Sequence, residues 1–242
     1  MKISQKILKI FSIAAFVVFL TINPVISSEL AVKPVRFAFV PDAHLAFKKQ
    51  SDWILYNESL VIFQDVINTI NSYPNLDFLV FGGDTIQNDD KELADLDTFI
   101  DITVDIKIPY YIIFGDRESD LKSTCPRSEF TGWFRKNGFS DPEKTYWAVN
   151  IDDNTLLIGL DTTIPNEFRG EISKEQLEWL KEVLENNKNK QTIIVMHHPA
   201  IVNCTKPHTN RDFILSNSNQ FLGLLSANPQ VKLVLSGHHH IN

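Results

Sequence analysis

Five short apolar runs, each breaking off into a polar motif, constrain this chain more than any other feature. Val35 to Val40 leads into Asp42-Ala43-His44, and Leu76 to Phe81 into Gly82-Gly83-Asp84. Tyr110 to Phe114 leads into Gly115-Asp116-Arg117-Glu118, Thr192 to Met196 into His197-His198-Pro199, and Lys232 to Leu235 into Gly237-His238-His239-His240. Bounded apolar runs of this length read as buried strands. Between them lie helical patterns over Trp53 to Ile70, Asp89 to Val104, Ser173 to Glu185 and Asn219 to Leu225. Strands alternating with helices predict βαβ units around a parallel sheet. Open α/β sheets gather ligands at the C-terminal ends of their strands, where all five motifs fall. In the middle, Thr145 to Ile151 and Thr155 to Leu160 flank Asp152-Asp153-Asn154, which predicts a hairpin. Ser173 is the expected N-cap of its helix, with Gln176 placed to complete a capping box and Leu177, Leu180 and Leu184 as the inner stripe.

The chain has 242 residues, 43% of them hydrophobic, enough for one well-packed domain. A formal charge of -7 and only short lysine runs argue against nucleic acid as a partner. The first residues differ from the rest. Lys2, Lys6 and Lys9 precede the apolar stretch Ile10 to Ile22, then Asn23-Pro24 breaks it and Val25-Ile26-Ser27-Ser28 offers small residues. That layout is a secretory signal peptide over residues 1–28, leaving a domain over 29–242. Cleavage removes three lysines and no acid, which takes the net charge to about -10. The expected location is periplasmic or secreted, with no stable membrane span after cleavage; an uncleaved signal anchor is the alternative. Cys125 and Cys204, each a few residues beyond a motif, either pair in that oxidising setting or stay as two free thiols.

Asp42, His44, Asp84, Asp116, His197, His238 and His240 together form a mixed nitrogen and oxygen donor set. Such ligands suit manganese, iron or zinc better than calcium. Seven candidates exceed one tetrahedral ion but can furnish two divalent ions that share a carboxylate. Asp84, which follows two glycines, is the choice for the bridge. Asp42 and His44 stand at i and i+2, so on an extended strand both side chains reach one ion, and His238 and His240 repeat the spacing with His239 directed elsewhere.

With these motifs in this order, the chain resembles the calcineurin-like metallophosphoesterase superfamily from about Val35 to His240. That family's succession is D-x-H, G-D, G-N-H-D/E, H-x-P and G-H-x-H. Weaker surroundings agree: Gly159-Leu160-Asp161 resembles the L-D-S/T segment after the family's hairpin, and Gln176 to Leu180 its Q-x-x-W-L helix. The resemblance implies a layered α/β/β/α sandwich. It implies one metal held by Asp42, His44 and His240, a second served by Asp116, His197 and His238, and Asp84 between them. It also implies hydrolysis of a phosphomonoester or phosphodiester by metal-activated water, with a small phosphorylated molecule as substrate.

Two departures stand out. The third motif reads Gly-Asp-Arg-Glu where the family has Gly-Asn-His. Asp116 keeps an oxygen ligand and adds negative charge, which tightens a metal and opposes an anionic substrate. Arg117 replaces a histidine that the resemblance places beside the phosphate. It cannot donate a proton, but it can grip a phosphoryl oxygen or pair with Asp116 or Glu118. It is expected to point at phosphate or away from the metals. The second departure is that only Ile241 and Asn242 follow His240, whereas family members continue through further strands. The sandwich is therefore expected to lack its last strands, as a truncated or naturally short form, with an unpaired sheet edge.

Other residues carry less. His208 reads as a solvated loop residue, His198 as a contact behind the ligands, and Trp133, Phe134 and Arg135 as packing or a cap over the site. The competing reading of the whole is a catalytically degenerate relative that binds metal or a phosphorylated ligand without turnover. A carbohydrate- or surface-binding module fits less well, because no aromatic platform or repeated strand pattern is present.

Overall fold

The computed structural model describes residues 34–46, 56–88, 93–141, 143–201 and 213–240. The expected leader, the Cys204 half of the cysteine question, His208 and the two residues after His240 lie outside these. Strands β1 (Phe37–Val40), β2 (Phe78–Phe81) and β3 (Tyr110–Ile112) form a parallel sheet in that order, with Phe37 opposite Phe78 and Leu79 opposite Tyr110. The connections carry α1 (Tyr56–Ser72) and α2 (Ala94–Thr103). After β3 come the single turn α3 (Asp116–Ser119) and the short helix α4 (Arg127–Trp133). Among the described residues α2 starts later than the apolar period predicts, because Leu93 takes a left-handed φ of 56° just before it.

The second sheet runs β4 (Trp147–Asn150), β5 (Thr155–Gly159), β6 (Gln191–Met196) and β7 (Val231–Ser236), in that order. β4 and β5 form the expected antiparallel hairpin, while β5, β6 and β7 are parallel. Helix α5 (Lys174–Asn186) precedes β6 and α6 (Ser218–Ser226) precedes β7.

Strand periodicity sorts this sheet's side chains into two cores. Leu157, Ile193 and Val195 pack with the first sheet, α1 and α2. Their chain neighbours Leu156, Ile158, Ile194 and Met196 pack instead with Leu180 and Leu184 of α5 and Phe221 of α6. Two sheets face to face with helices outside each is the layered sandwich expected. On the far side of the first sheet, Phe63 of α1, Phe81 of β2 and Phe99 of α2 meet at ring centroid separations of 5.2–5.8 Å. Such pairs contribute about 0.5–1.5 kcal/mol each beyond their buried area.

One local expectation is half met. Ser173 caps α5 by accepting the N–H of Gln176 at 3.1 Å. The Gln176 amide does not complete the box. It accepts the N–H of Asp161 at 2.9 Å and donates to the Asp161 carbonyl at 2.7 Å, tying α5 to the chain after β5. A buried side chain satisfying two backbone groups at once outweighs one exposed cap bond. No described helix is long and apolar enough to cross a membrane.

Candidate metal centre

Each strand except β4 and β5 delivers its motif to one place. Asp42 and His44 follow β1, Asp84 follows β2, and Asp116 opens α3 after β3. His197 and His198 follow β6, and His238 and His240 follow β7. The sheets join here. The Asp42 carboxylate, from the first sheet, accepts the N–H of His238, from the second, at 2.9 and 3.0 Å.

The backbone reaches this arrangement in a way the strand spacing did not foretell. Asp42 (φ 54°), His44 (φ 44°), Asp84 (φ 49°), His238 (φ 71°) and His240 (φ 48°) are all left-handed. They make up five of the nine non-glycine residues with positive φ among the described residues. The i and i+2 pairs therefore converge through tight left-handed turns, not along extended strands. A left-handed non-glycine residue costs on the order of 1–3 kcal/mol, and such costs persist where surroundings fix them for a purpose. Room for the turns comes from facing glycines. A Cβ on Gly115 would lie 2.0 Å from the Asp84 nitrogen, and one on Gly83 2.8 Å from the Gly115 nitrogen.

The side chains fall into overlapping groups whose donor atoms lie within 4.8 Å of one another: Asp42, His44 and His240; Asp84, His197 and His238; Asp116, His198 and His238. Asp84 Oδ2 lies between the first two, 3.5 Å from His44 Nε2 and 3.6 Å from His197 Nε2. His240 Nε2 is 3.0 Å from His44 Nε2 and 3.7 Å from Asp42 Oδ1. Asp116 reaches His238 Nδ1 with Oδ2 at 3.5 Å and His198 Nε2 with Oδ1 at 3.1 Å.

Hydrogen bonds on the far sides of the rings fix which nitrogens face inward. His44 Nδ1 donates to Gln87 Oε1 at 3.2 Å, which also accepts from the Tyr56 hydroxyl at 3.0 Å. His197 Nδ1 donates to the Gly82 carbonyl at 3.0 Å. Both rings therefore turn Nε2 to the centre, the nitrogen a ligating imidazole would offer. His197 Nε2, His198 Nε2, His238 Nε2 and Asp116 Oδ1 are buried and have no hydrogen-bond partner. Buried polar atoms are nearly always satisfied. Here metal-binding donor atoms crowd together unsatisfied, which a cation would resolve. Donors at right angles on an ion with bonds of about 2.1 Å stand about 3.0 Å apart, and tetrahedral donors about 3.4 Å. The residues present fit divalent ions on both counts.

The electrostatics of the metal-free cluster follow from burial and crowding. Burial alone would raise the Asp84 carboxyl, but the charge of His197, then that of His44, holds it well below the carboxylate range. Burial would lower His197, yet Asp84 raises it to about 10. Burial, then the charges of His197 and His198, push His238 down to about 2. Burial lowers His44 and raises Asp42.

Glu118 carries the loops that carry the ligands. Fully buried, it accepts the N–H groups of Asp84 and Gly115 on Oε2, both at 2.9 Å, and of Thr85 and Ile86 on Oε1 at 2.7 and 3.1 Å. Burial and the Asp84 charge push its carboxyl up to about 7, against the pull of those N–H groups. Its neighbour Arg117 donates its backbone N–H to Asp84 Oδ1 at 2.8 Å. The guanidinium pairs with neither Asp116 nor Glu118, and its Nε is buried without a hydrogen-bond partner.

Other positions resolve simply. His239 turns away and its Nε2 meets the Phe213 carbonyl at 2.8 Å. Phe134 packs on Phe99 and Phe130, whereas Trp133 is exposed. Burial, with Glu129 and Glu118, pushes the Cys125 thiol up to about 12. The supporting roles of Glu118, Gln87 and Thr162 were not marked in the sequence. Only the Leu-Asp-Thr segment after β5 signalled any of them, since Thr162 Oγ1 lies 2.9 Å from His198 Nδ1.

Comparison with known proteins follows the same lines. A family model described as calcineurin-like phosphoesterase matches residues 35–242. A probable glycerophosphodiester phosphodiesterase, GpdQ, of Arcobacter nitrofigilis is 24% identical over 83% of this chain and 70% of its own length. The 3',5'-cyclic adenosine monophosphate phosphodiesterase CpdA of Haemophilus influenzae is 26% identical over 87% of this chain and 72% of its own. In structure, a dimetal phosphatase from Danio rerio superposes with a TM-score of 0.69 at 16% identity, over 86% of this chain and 82% of that one.

Proposed function

The chain belongs to the calcineurin-like phosphoesterase family of metal-dependent phosphoric ester hydrolases, and from that premise we propose that it hydrolyses a small phosphodiester. In this reading two divalent ions (manganese, iron or zinc) are held by Asp42, His44, Asp84, Asp116, His197, His238 and His240. The observation that carries it is Asp84 Oδ2, set between His44 Nε2 and His197 Nε2 at 3.5 and 3.6 Å. One carboxylate oxygen facing two separate imidazole groups suits a bridge between two ions. When bound, such a pair offsets charge on phosphoryl oxygens and acidifies water for attack on phosphorus.

The protein's own groups do the rest. His44 and His197 each give Nδ1–H to Gln87 or the Gly82 carbonyl, so Nε2 is the nitrogen each would offer an ion, His197 after releasing the proton that Asp84 holds on it in the metal-free protein. Glu118 fixes the loops of Asp84 and Asp116 together, so the two halves keep their spacing. Arg117, whose guanidinium has no carboxylate partner among the described residues, contacts a non-bridging phosphoryl oxygen. It orients the phosphorus but passes no proton to the leaving group.

Two considerations favour a diester. A diester carries one negative charge where a monoester carries up to two, so it meets less opposition from the extra carboxylate of Asp116. Two of the proteins named above bear the names of a probable glycerophosphodiester phosphodiesterase and a 3',5'-cyclic adenosine monophosphate phosphodiesterase. The proposal includes export to the periplasm or beyond, supported by the basic and then apolar layout of residues 1–22. N-terminal sequencing of protein from separated cell fractions checks this, and a chain starting at Met1 in the membrane fraction would mean an uncleaved anchor.

The test of activity is a manganese-supplemented rate panel on bis(p-nitrophenyl) phosphate, p-nitrophenyl phosphate, a glycerophosphodiester and cyclic AMP. Diester cleavage should exceed monoester cleavage. Arg117→Ala should lower kcat/KM about 10–100-fold while both ions stay bound. Two bound ions with no turnover on any substrate would instead mark a relative that binds without catalysis.

A further inference from the structure

We propose that His198, the second histidine of its motif, is itself a metal ligand, holding the second ion together with Asp116 and His238. This rests on the dimetal reading above and extends its donor set by one imidazole. His198 is fully buried, and its Nε2 stands 3.1 Å from Asp116 Oδ1. The two atoms are not aligned as a hydrogen bond, and both are buried without a hydrogen-bond partner. An imidazole that merely steadied Asp116 would aim an Nε2–H at the carboxylate. Here a nitrogen and an oxygen lie side by side at the separation of neighbouring donors on one ion.

The far side of the ring is anchored by a hydroxyl, which leaves Nε2 free for an ion when Nδ1 is the donor. Nδ1 lies 2.9 Å from Thr162 Oγ1, which also accepts the backbone N–H of His198 at 3.1 Å. Thr162 is held in turn through the Asp161 backbone, bound at both its N–H and its carbonyl by Gln176. The seat is close-fitting, since a Cβ on Gly170 would lie 2.5 Å from His198 Cγ. The rings of His198 and His238 have centroids 4.5 Å apart, closer than the 5.0 Å between His197 and His238. Asp116 completes the logic. Its two oxygens face two different imidazoles, and a neutral amide at that position offers only one oxygen.

Cobalt(II) loading with proton NMR tests this on the intact protein. Each ligating imidazole keeps one N–H on its other nitrogen, and that proton is strongly shifted by a bound paramagnetic ion. Five shifted exchangeable signals are expected, from His44, His197, His198, His238 and His240. Four are expected in His198→Ala, with the second ion bound at least about tenfold more weakly. Affinity alone does not decide, because losing a hydrogen-bonded bystander also costs about 10–100-fold. Four signals in the unaltered protein with two ions bound would overturn the assignment of His198 and leave the dimetal reading standing. No shifted signal and no bound cobalt would overturn both. The count in the unaltered protein needs no variant, so a folding failure of His198→Ala leaves the test intact.

Discussion

Glu118→Gln is the perturbation that most directly probes how the centre is built. The carboxylate accepts four backbone N–H groups, two on each oxygen. A glutamine in the same pose keeps its oxygen against Thr85 and Ile86. Its NH2 then faces the N–H groups of Asp84 and Gly115, donor against donor. The site is fully buried, so water cannot take over. Hydrogen bonds to a charged group contribute about 1.5–3 kcal/mol each, so at a pH above the value of about 7 reached by Glu118, losing two costs about 3–6 kcal/mol. For a domain of this size each kcal/mol lowers Tm by about 2–4 °C, so a fall of at least about 6 °C is expected. Thermal unfolding of the metal-free protein followed by circular dichroism measures it. A suitable control is Glu178→Gln, whose ion pair with Lys174 is 3.8 Å long and 70% exposed on the glutamate side. That change should shift Tm by no more than about 1–2 °C, since exposed pairs contribute little. Equal melting of the two variants, within error, would refute the role given to Glu118.

The remaining predictions concern protons and space. In the metal-free protein His197 is raised from 6.5 to about 10 by Asp84, so the stability it adds is complete below about pH 6.5 and lost as pH rises through about 10. Asp84 is depressed, so its contribution is present above the ordinary carboxylate value and lost on acidification. Metal-free protein should therefore melt lower at pH 10 than at pH 6.5. Manganese affinity should run the other way, because binding displaces the His197 proton; calorimetry at pH 6.5 and 8.5 showing no proton release would contradict the pairing. Gly115→Ala should destabilise by about 1–3 kcal/mol through overpacking against the Asp84 backbone. Gly115 has an ordinary φ of -113°, so the cost is contact alone, and an unchanged Tm would show that the loops separate freely.

What the chain revealed before folding was whatever its local pattern encodes. Apolar runs ending in aspartate and histidine predicted β1, β2, β3, β6 and β7 and their common end, and the stripe of Leu180 and Leu184 predicted α5. What stayed hidden depends on residues far apart in sequence. Gln176 is a capping-box residue by spacing, yet its partner is Asp161, 15 positions back. His198 read as a contact behind the ligands, but its partner Thr162, 36 positions away, is invisible to any window around it. The left-handed turns at Asp42, His44 and Asp84 were equally hidden, because they are imposed by contacts such as the Asp42 carboxylate with the His238 N–H, 196 positions on.

Arg117 shows how such distant contacts alter chemistry. The sequence left it a phosphoryl oxygen, Asp116 or Glu118 as partners, and either carboxylate would have neutralised it. Folding instead commits Glu118 to backbone N–H groups from two loops, 32 to 34 residues away in the case of Asp84, Thr85 and Ile86. Asp116 turns its two oxygens to His198 and His238. Both nearby carboxylates are thus turned elsewhere, and the guanidinium has no carboxylate partner among the described residues. A phosphoryl oxygen is the anion that a dimetal centre would bring beside it, which is the ground for the phosphate contact proposed for Arg117.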